Sequence, residues 1–367
     1  MAFVLPEFHA PDFSLPELSN APCARFEPAP MDGVVPEGFH ATSNHPEYLR
    51  LETGWKLVPE SRMDAVIVRG GADRLEVVEA RRVRAGDLVA VGRTESGEDG
   101  IYVHTTGFSE AERPTDKFSF RTRGTRETPF SRSYDDLYDL LRYERDHGYI
   151  VWVAGPAVVF DRDSRDSFRE LIEAGYCHAL LAGNAVATHD LEAGYFGTGL
   201  GQDVYSQKLV PGGHYHHLDV LNRVRRSGSI AKALAETPGS DGVMAACVRR
   251  GVPFVLCGSI RDDGPLPEVI ADVYAAQDAM REHARRATTV ITLATQLHSI
   301  AFGNMVPSYR VTAAGVVRPV YLTIVDITEF SADKLANRGS AQAMPIVTNV
   351  QDFMINLRFA LVGGRGS

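Results

Sequence analysis

The sequence predicts an α/β fold in which helices cover a parallel sheet, preceded by a smaller β-rich domain. From Gly148 onward, short apolar runs alternate with loops of small residues and with helical patterns. Strands that alternate with helices form parallel sheets buried on both faces. Before Phe118, short apolar runs are separated by glycine-containing turns, which is typical of a small β-rich unit.

Three segments follow from these patterns. Residues 1–38 are rich in proline and lack periodicity, so we expect an extended arm on the body or on a neighbouring subunit. Residues 39–132 form the β-rich domain and residues 133–367 the α/β domain. The predicted strands of the β-rich domain are Trp55–Val58, Met63–Val68, Leu75–Val78 and Leu88–Val91.

The two domains meet in a basic segment, Phe118–Arg132, which carries four arginines and reads equally as a solvated linker or an anion-binding loop. A helix is predicted to begin near Ser133. Further helices are predicted over Ser164–Ala174 and Leu218–Arg226. The predicted strands of the α/β domain are Tyr149–Ala154, His178–Leu181, Val252–Cys257, Thr288–Ala294, Tyr321–Asp326 and Pro345–Val347.

Composition narrows the class of protein. Of the 367 residues, 44% are hydrophobic and 23% charged, and the net charge of −9 argues against a nucleic-acid binder. No apolar run reaches the roughly 18 residues that a spanning helix needs, and the N-terminus does not resemble a secretory signal. Four cysteines without paired spacing indicate buried free thiols. We therefore expect a soluble, cytoplasmic protein.

One loop that follows a predicted buried strand carries a candidate active site. Val252–Cys257 ends at a glycine, and two adjacent carboxylates follow, Asp262 and Asp263. Gly264–Pro267 is expected to start a helix, with proline in the first turn. Ligands of open α/β sheets bind at the carboxyl ends of strands, so we interpret this loop as the edge of an active site. The alternative is an ordinary solvated loop.

The usual GxGxxG fingerprint of dinucleotide binding is absent, and Gly197–Gly201 is interpreted as a turn. Asp326 closes a strand, where either a ribose-binding acid or a helix N-cap would stand. Three small-residue loops follow strands and could approach a dinucleotide: Ala154–Ala157, Ala182–Ala185 and Gly339–Gln342.

Histidines suggest further contacts. Gly213–His217 contains three histidines, but no further ligand lies at a fixed spacing, so we predict no metal there and favour a substrate contact or a helix cap. His298 follows an apolar strand and is either a cofactor or substrate contact or a core histidine bonded to backbone.

Several long runs resemble a known family. AGNAVATHDLEAGYFGTGLG, FVLCGSIRDDGPLPEVIADVYAAQDAMREH, LATQLHSIAFGNMVPS and NRGSAQAMPIVTNV are similar to the alternative ornithine cyclodeaminases of archaea. They are equally similar to the C-terminal part of the cyanobacterial arginine dihydrolase (arginine-guanidine-removing enzyme). PEGFHATSNHPEYLR resembles that family's LOR/SDH region, named for lysine-oxoglutarate reductase and saccharopine dehydrogenase. The likeness spans roughly Pro36–Leu361 and does not include the arginine-hydrolysing domain.

The resemblance implies a Rossmann-like domain, similar to that of deoxyhypusine synthase, a tightly held NAD, and conversion of ornithine to proline with loss of ammonia. It also implies that Asp262 handles protons and that Asn44, His214 and His217 hold the substrate. The residues implied to contact NAD are Asn184, Ala185, Asp263, Thr295, Leu297, His298, Asp326 and Asn349.

The chain departs from the family at the substrate motif. Tyr215 stands where a basic residue is usual, His216 where asparagine is usual, and Asn349 where aspartate is usual. These changes leave the NAD fold intact and bear on the substrate. Two alternatives therefore stay open: an NAD-dependent amino-acid dehydrogenase or imine-forming enzyme that releases NADH, and an NAD-binding protein without catalysis. A homo-oligomer is expected, because the proline-rich arm needs a surface to lie on.

Overall fold

The computed structural model describes residues 3–71, 73–108, 130–237, 240–260, 265–329 and 342–363. Among the helices within these ranges, none is long and apolar enough to cross a membrane. The predicted basic segment Phe118–Arg132 lies largely outside the described residues, as do Asp262, Asp263 and most of the loop Gly339–Gln342.

The N-terminal part forms two antiparallel sheets, in the orders β1-β6-β4-β5 and β3-β2-β7. Alternating burial along β5, whose first and third residues are buried, explains why a period of two predicts it. A short helix, α1 (Pro16–Ser19), precedes the strands β1 (Arg25–Pro28), β2 (Glu47–Leu51), β3 (Gly54–Leu57), β4 (Val66–Arg69), β5 (Leu75–Val78), β6 (Leu88–Val91) and β7 (Ile101–Val103).

The expectation of an arm outside the sheets is wrong for part of residues 1–38. Arg25–Pro28 pairs antiparallel with Leu88–Val91 as an edge strand, and Leu18 is buried in the same domain. Proline is tolerated in an edge strand because the missing N–H costs no ladder bond there. The proline content therefore does not exclude a strand. Further toward the N-terminus, Phe3 packs on Tyr143 and Tyr321 of the second domain.

The second domain is built on a seven-stranded parallel sheet, which confirms the predicted fold class. The strand order is β13-β12-β9-β8-β14-β17-β18, with two small hairpins, β10–β11 and β15–β16, outside it. The strands are β8 (Ile150–Ala154), β9 (Ala179–Gly183), β10 (Thr198–Gly199), β11 (Gln202–Asp203), β12 (Phe254–Cys257), β13 (Val269–Ile270), β14 (Thr289–Leu293), β15 (Tyr309–Val311), β16 (Val317–Pro319), β17 (Tyr321–Asp326) and β18 (Gln342–Val347).

Helices cover both faces of this sheet, as an unbroken apolar run such as Ile150–Ala154 requires. Face 1 carries α2 to α7 and α10, and face 2 carries α8 and α9. The helices are α2 (Phe130–His147), α3 (Arg162–Glu173), α4 (Asn184–Phe196), α5 (His216–Ser227), α6 (Ile230–Ala235), α7 (Val243–Arg250), α8 (Val273–Ala284), α9 (Gln296–Met305) and α10 (Val350–Leu361).

The helix predicted to start at Gly264–Pro267 is wrong. Val269 and Ile270 instead pair in parallel with the end of β12, and the helix begins only at Val273, where Asp272 accepts a hydrogen bond from Ala275. The side chain of Asp272 supplies a hydrogen-bond acceptor for an amide of the first helical turn. This cap favours a start at Val273 more than proline favours a start near Pro265.

The small domain docks on face 2. Arg281 of α8 pairs with Glu79, and Arg62 donates to the carbonyl of Asn304 at the end of α9, at 3.1 Å. Backbone bonds continue the contact, since the Ser308 amide donates to the Ser61 carbonyl at 2.8 Å. Face 1 therefore faces away from the small domain.

The cysteines differ in burial, and the expectation of four buried thiols is wrong for one of them. Cys23 is exposed, whereas Cys177, Cys247 and Cys257 are buried, and all four are free. Burial raises the pKa of the Cys257 thiol to about 11 and that of the other two buried thiols well above the usual value. A buried, protonated thiol reacts slowly because the thiolate is the nucleophile.

We therefore expect one equivalent of alkylating reagent to enter the native protein rapidly at mildly alkaline pH, at Cys23. Unfolding in denaturant should expose three more sites. Intact-mass measurement over time checks this, with Cys23→Ser as the control that should remove the fast phase. Any fast-reacting thiol that remains in the Cys23→Ser variant would contradict the burial of the other three cysteines.

Candidate functional site

The order in which the strands are added to the sheet reverses between β8 and β14. β8 is the first strand of its domain; β9, β12 and β13 extend the sheet to one side, and β14, β17 and β18 to the other. Open α/β sheets bind ligands in the crevice at such a switch point, at the carboxyl ends of the strands. We call this side of the sheet the carboxyl edge.

Two loops meet closely at the switch point. The Gly155 amide donates to the Leu293 carbonyl at 2.7 Å, and a Cβ added to Gly155 would overlap the carbonyl oxygen of Ala294. Gly155 has ordinary extended angles (φ −89°, ψ 162°), so close approach rather than a left-handed backbone requires glycine here. Ala294 itself turns through a positive φ of 46°. The crevice floor is thus backbone against backbone.

Two helices that begin at this edge have no hydrogen bond, among the described residues, from the N-cap side chain to the first turn. α4 starts directly after β9 at Asn184, and α9 starts after Thr295; neither has a hydrogen bond from its N-cap side chain. By contrast, α3, α8 and α10 are capped by Asp161, Asp272 and Asn349. Uncapped N-terminal amides and the helix dipole favour an anion, so this edge suits a pyrophosphate.

Asn184 holds the segment that follows the two predicted acids. Its side-chain oxygen accepts a hydrogen bond from the Leu266 amide at 3.0 Å, and only 6% of the residue is exposed. Asp262 and Asp263 lie outside the described residues, so their roles stay predictions. The described residues on either side, Ser259 and Leu266, lie at the carboxyl edge next to β9.

Asp326 ends β17 at the same edge and is 8% exposed. One of its carboxylate oxygens accepts from the amide and the hydroxyl of Thr328, at 2.9 and 3.0 Å. The turn fixes the carboxylate at the strand end, as a ribose-binding acid requires. Asn349, at the end of β18, is exposed and caps α10 through the Gln351 amide at 2.8 Å.

His298 lies across the end of β9. A Cβ added to Gly183 would be 3.0 Å from its ring carbon Cε1, which puts the imidazole of α9 beside the start of α4. The structure therefore brings His298 and Thr295 together with Asn184 and Ala185 around the crevice. Leu297 belongs to the first turn of α9 by its backbone.

A buried carboxylate that the sequence analysis did not single out organises the histidine-rich segment. Glu192 is fully buried on α4 and binds the His189 ring and the Thr198 hydroxyl, each at 2.9 Å. It also accepts from the Gly201 amide at 2.9 Å, and Thr198 is 2.8 Å from a ring nitrogen of His216. Burial raises the pKa of Glu192, but these hydrogen bonds outweigh burial and hold it below the usual value.

This network lies close to the crevice. His189 is five residues into α4, about 7.5 Å along the axis at 1.5 Å per residue. Its ring is 5.1 Å from Phe160 and 6.5 Å from the ring of His217, measured between centroids. The sequence feature that could have predicted this network is the spacing of three between His189 and Glu192 in a helix, which puts the two side chains next to each other.

The three predicted substrate residues belong to different elements of the fold. His217 is half-buried beside His189 on face 1, whereas His214 is exposed and packs on Tyr215, with ring centroids 4.0 Å apart. Asn44 belongs to the small domain, which contacts α8, α9 and β15 on face 2. Within the described residues, no group of three or more His, Cys, Asp or Glu could hold a metal ion.

Comparison with known proteins bears on this arrangement. A model of the C-terminal Rossmann-fold region of ArgZ-like arginine dihydrolases matches residues 137–357. The chain belongs to this ArgZ-like family. An ornithine cyclodeaminase of Methanopyrus kandleri is 40% identical over 343 residues, which cover 91% of this chain and 77% of the relative.

Solved structures agree with the ArgZ-like assignment. A LOR/SDH protein of Methanococcus maripaludis S2 superposes with a TM-score of 0.82 at 35% identity, covering 93% of this chain and 98% of that one. This confirms the predicted Rossmann-like domain preceded by a LOR/SDH-like region. AgrE, the bifunctional arginine dihydrolase/ornithine cyclodeaminase of Nostoc, is 37% identical over 339 residues, covering 90% of this chain and 46% of AgrE. Its crystal structure as a ternary complex with ornithine and NAD⁺ superposes with a TM-score of 0.58 at 35% identity, covering 95% of this chain and 47% of that one.

Proposed function

We propose that this protein is an NAD-dependent ornithine cyclodeaminase that converts L-ornithine, or a close diamino acid, to a cyclic imino acid such as proline with release of ammonia. The proposal is supported by family membership, by relatives that bear this name, and by a homologue solved with ornithine and NAD⁺. The observation in this chain that carries it is the close backbone approach at the switch point, flanked by two uncapped helix N-termini.

The residues at the carboxyl edge fit NAD. The first-turn amides of α4 and α9 would hold the pyrophosphate, and Asp326 would accept from a ribose hydroxyl. Gly155 leaves the room for close approach that a side chain would fill. The remaining residues proposed to contact the cofactor are Asn184, Ala185, Asp263, Thr295, Leu297, His298 and Asn349.

NAD would take a hydride from the α-carbon of the substrate and give it back, so the overall conversion involves no net oxidation. The chain contributes binding and proton handling. The α-amine of the substrate must be neutral before it can become an iminium, and the side-chain amine must be neutral before it can act as a nucleophile. We propose that Asp262 takes a proton from one of these amines. His214, His217 and Asn44 are the proposed substrate contacts, and Glu192 would hold α5, which carries His217, through Thr198 and His216.

The test combines nucleotide identification with a reaction assay. Purified protein is denatured and the released nucleotide identified, and native protein is incubated with L-ornithine while proline, ammonia and the NADH absorbance band are followed. We expect bound NAD, and proline and ammonia in equal amounts without net NADH. Asp262→Asn should retain NAD and lose turnover by about 100-fold to 10,000-fold, the usual contribution of a general acid or base.

Other outcomes select the alternatives. Net NADH formation would favour the amino-acid dehydrogenase or imine-forming enzyme. Bound NAD with ornithine untouched would contradict ornithine as substrate and direct attention to Tyr215 and His216, where the motif departs from its usual pattern. No nucleotide and no affinity for added NAD⁺ would overturn the proposal. The homo-oligomer and the cytoplasmic location stay predictions.

A further inference from the structure

A second cavity lies at the opposite edge of the parallel sheet. It is open to solvent and has a volume of about 310 Å³, within the usual range for small-molecule pockets. Gly148–Tyr149, Thr288 and Arg318 line it, and these residues precede β8, β14 and β17, so this is the amino edge. β8 and β14 are five residues long, which separates the cavity from the carboxyl edge by roughly 16 Å at 3.3 Å per residue.

The lining of this cavity is basic in a chain whose net charge is −9. Arg286, Arg310, Arg318 and His147 contribute to it, and no acidic residue is among the residues that line it. Arg318 is neutralised from behind by the fully buried Glu144, which also accepts from Thr288. In the described part of the chain, Arg286 and Arg310 have no carboxylate within ion-pair distance.

Arg286 and Arg310 are held next to each other in spite of their like charge. The Arg310 guanidinium donates to the backbone carbonyl of Arg286, and the Arg286 guanidinium lies over the Tyr149 ring, 4.1 Å from its centroid. Burial, and then the neighbouring Arg318 and Arg286, lower the pKa of Arg310. Glu60 acts on the pKa of Arg310 in the opposite direction but is the smallest of these influences. The neighbouring positive charges are therefore only partly offset, and a bound anion would lower the free energy of the site.

Two of the arginines that line this cavity have a guanidinium N–H group without a hydrogen-bond acceptor. The Nε atoms of Arg310 and Arg318 are shielded from solvent and find no partner among the described residues. Arg318 as a whole is only 5% exposed. Because these Nε atoms are closed to solvent, a ligand in the cavity would contact the guanidinium groups through their other nitrogens.

We propose that this cavity binds a small oxyanion, phosphate or the carboxylates of a small organic acid, at a site separate from the carboxyl edge. The planar fork of arginine matches both groups through paired hydrogen bonds. Arg286 and Arg310 supply positive charge that no carboxylate of the described residues pairs with, and Glu144 holds Arg318 in place at the cavity wall. The site does not depend on the function proposed above.

Titration calorimetry with inorganic phosphate, and separately with citrate, tests the site in the presence of excess NAD⁺ at constant ionic strength. We expect one saturable site per chain for at least one of the two anions, and the stronger of the two identifies the source. Arg286→Gln and Arg310→Gln should each weaken binding at least tenfold. Ala313→Glu, an exposed substitution on the cavity lining, should do the same without removing an arginine contact.

Arg285→Gln is the matched control. Arg285 is the neighbour of Arg286 in the chain, but it pairs with Glu60 at 3.4 Å and does not line the cavity. It should leave the affinity within twofold of the original. Absence of a saturable site for both anions would overturn the proposal. So would an affinity in Arg286→Gln and in Ala313→Glu that is unchanged from the original protein, because the binding would then arise elsewhere, including at the carboxyl edge.

Discussion

Replacing Gly155 with alanine is expected to remove most of the NAD⁺ affinity and to destabilise the fold. The added Cβ would overlap the Ala294 carbonyl oxygen and lie 2.8 Å from its carbonyl carbon. Two strand ends would have to separate, although the Gly155 amide bonds to Leu293 across the same gap. Overpacking of this kind costs about 1–3 kcal/mol, and we expect NAD⁺ affinity to fall at least tenfold.

Fluorescence titration with NAD⁺ and urea unfolding measure the two effects of Gly155→Ala. Gly71→Ala is the matched control, because a Cβ there meets nothing within 4 Å and the residue has no left-handed φ. Gly71→Ala should change neither quantity noticeably. Equal behaviour of the two variants would mean that the loops at the switch point separate easily, and that the crevice floor is not what positions the cofactor.

Removing the carboxylate of Glu192 is expected to be among the most destabilising single changes in the α/β domain. Glu192→Ala would leave the His189 ring, the Thr198 hydroxyl and the Gly201 amide without their buried acceptor. Such losses cost about 3 kcal/mol in a buried network. Glu192→Gln keeps one oxygen acceptor, so we expect a smaller loss, of about 1–2 kcal/mol.

The pH dependence of stability separates charge from shape at this position. The folded state lowers the pKa of Glu192 below its usual value of 4.5, so the ionised form contributes stability above that value. This contribution is lost as the pH falls through the lowered folded-state pKa. Between pH 5 and the acid range, the original protein should therefore lose more free energy of unfolding than Glu192→Gln does.

Urea unfolding at several pH values measures this difference. Glu282→Ala serves as the control, because Glu282 is exposed on α8 and its removal should change the free energy of unfolding by less than about 0.5 kcal/mol. Parallel pH profiles for the original protein and Glu192→Gln would contradict the ionised, hydrogen-bonded carboxylate. If the proposed function holds, Glu192→Ala should also raise the KM for ornithine, because α5 loses its anchor to α4.

The sequence correctly predicted the strands that are buried on both faces of the sheet. Ile150–Ala154, Thr289–Leu293 and Tyr321–Asp326 are buried on both faces, and an unbroken apolar run reports that condition directly. Asp326 was predicted at the strand end and is found there. Because every parallel strand contributes its end to one edge, the strand order alone brought most of the predicted cofactor residues together.

Elements that depend on a distant partner were missed or misplaced. β1 was interpreted as part of the arm because the segment is rich in proline. It forms a strand because β6, which lies about 60 residues later in the sequence, pairs with it at the edge of the sheet, where proline is tolerated. The helix predicted at Gly264–Pro267 gave way to β13, which exists through its pairing with β12. The spacing of His189 and Glu192 was visible in the sequence, but Thr198 and His216 complete the network only because α5 packs on α4.

The sequence by itself determined the family, the parallel sheet and the edge at which a cofactor would bind, because these follow from local apolar patterns and from motifs that are contiguous in the chain. The tertiary structure decided which glycine has no room for a side chain, which carboxylate lies buried among histidines, and that three arginines from separate elements line one cavity. Those properties are sums over neighbours that are remote in sequence, and burial and uncompensated charge have no value until the chain is folded.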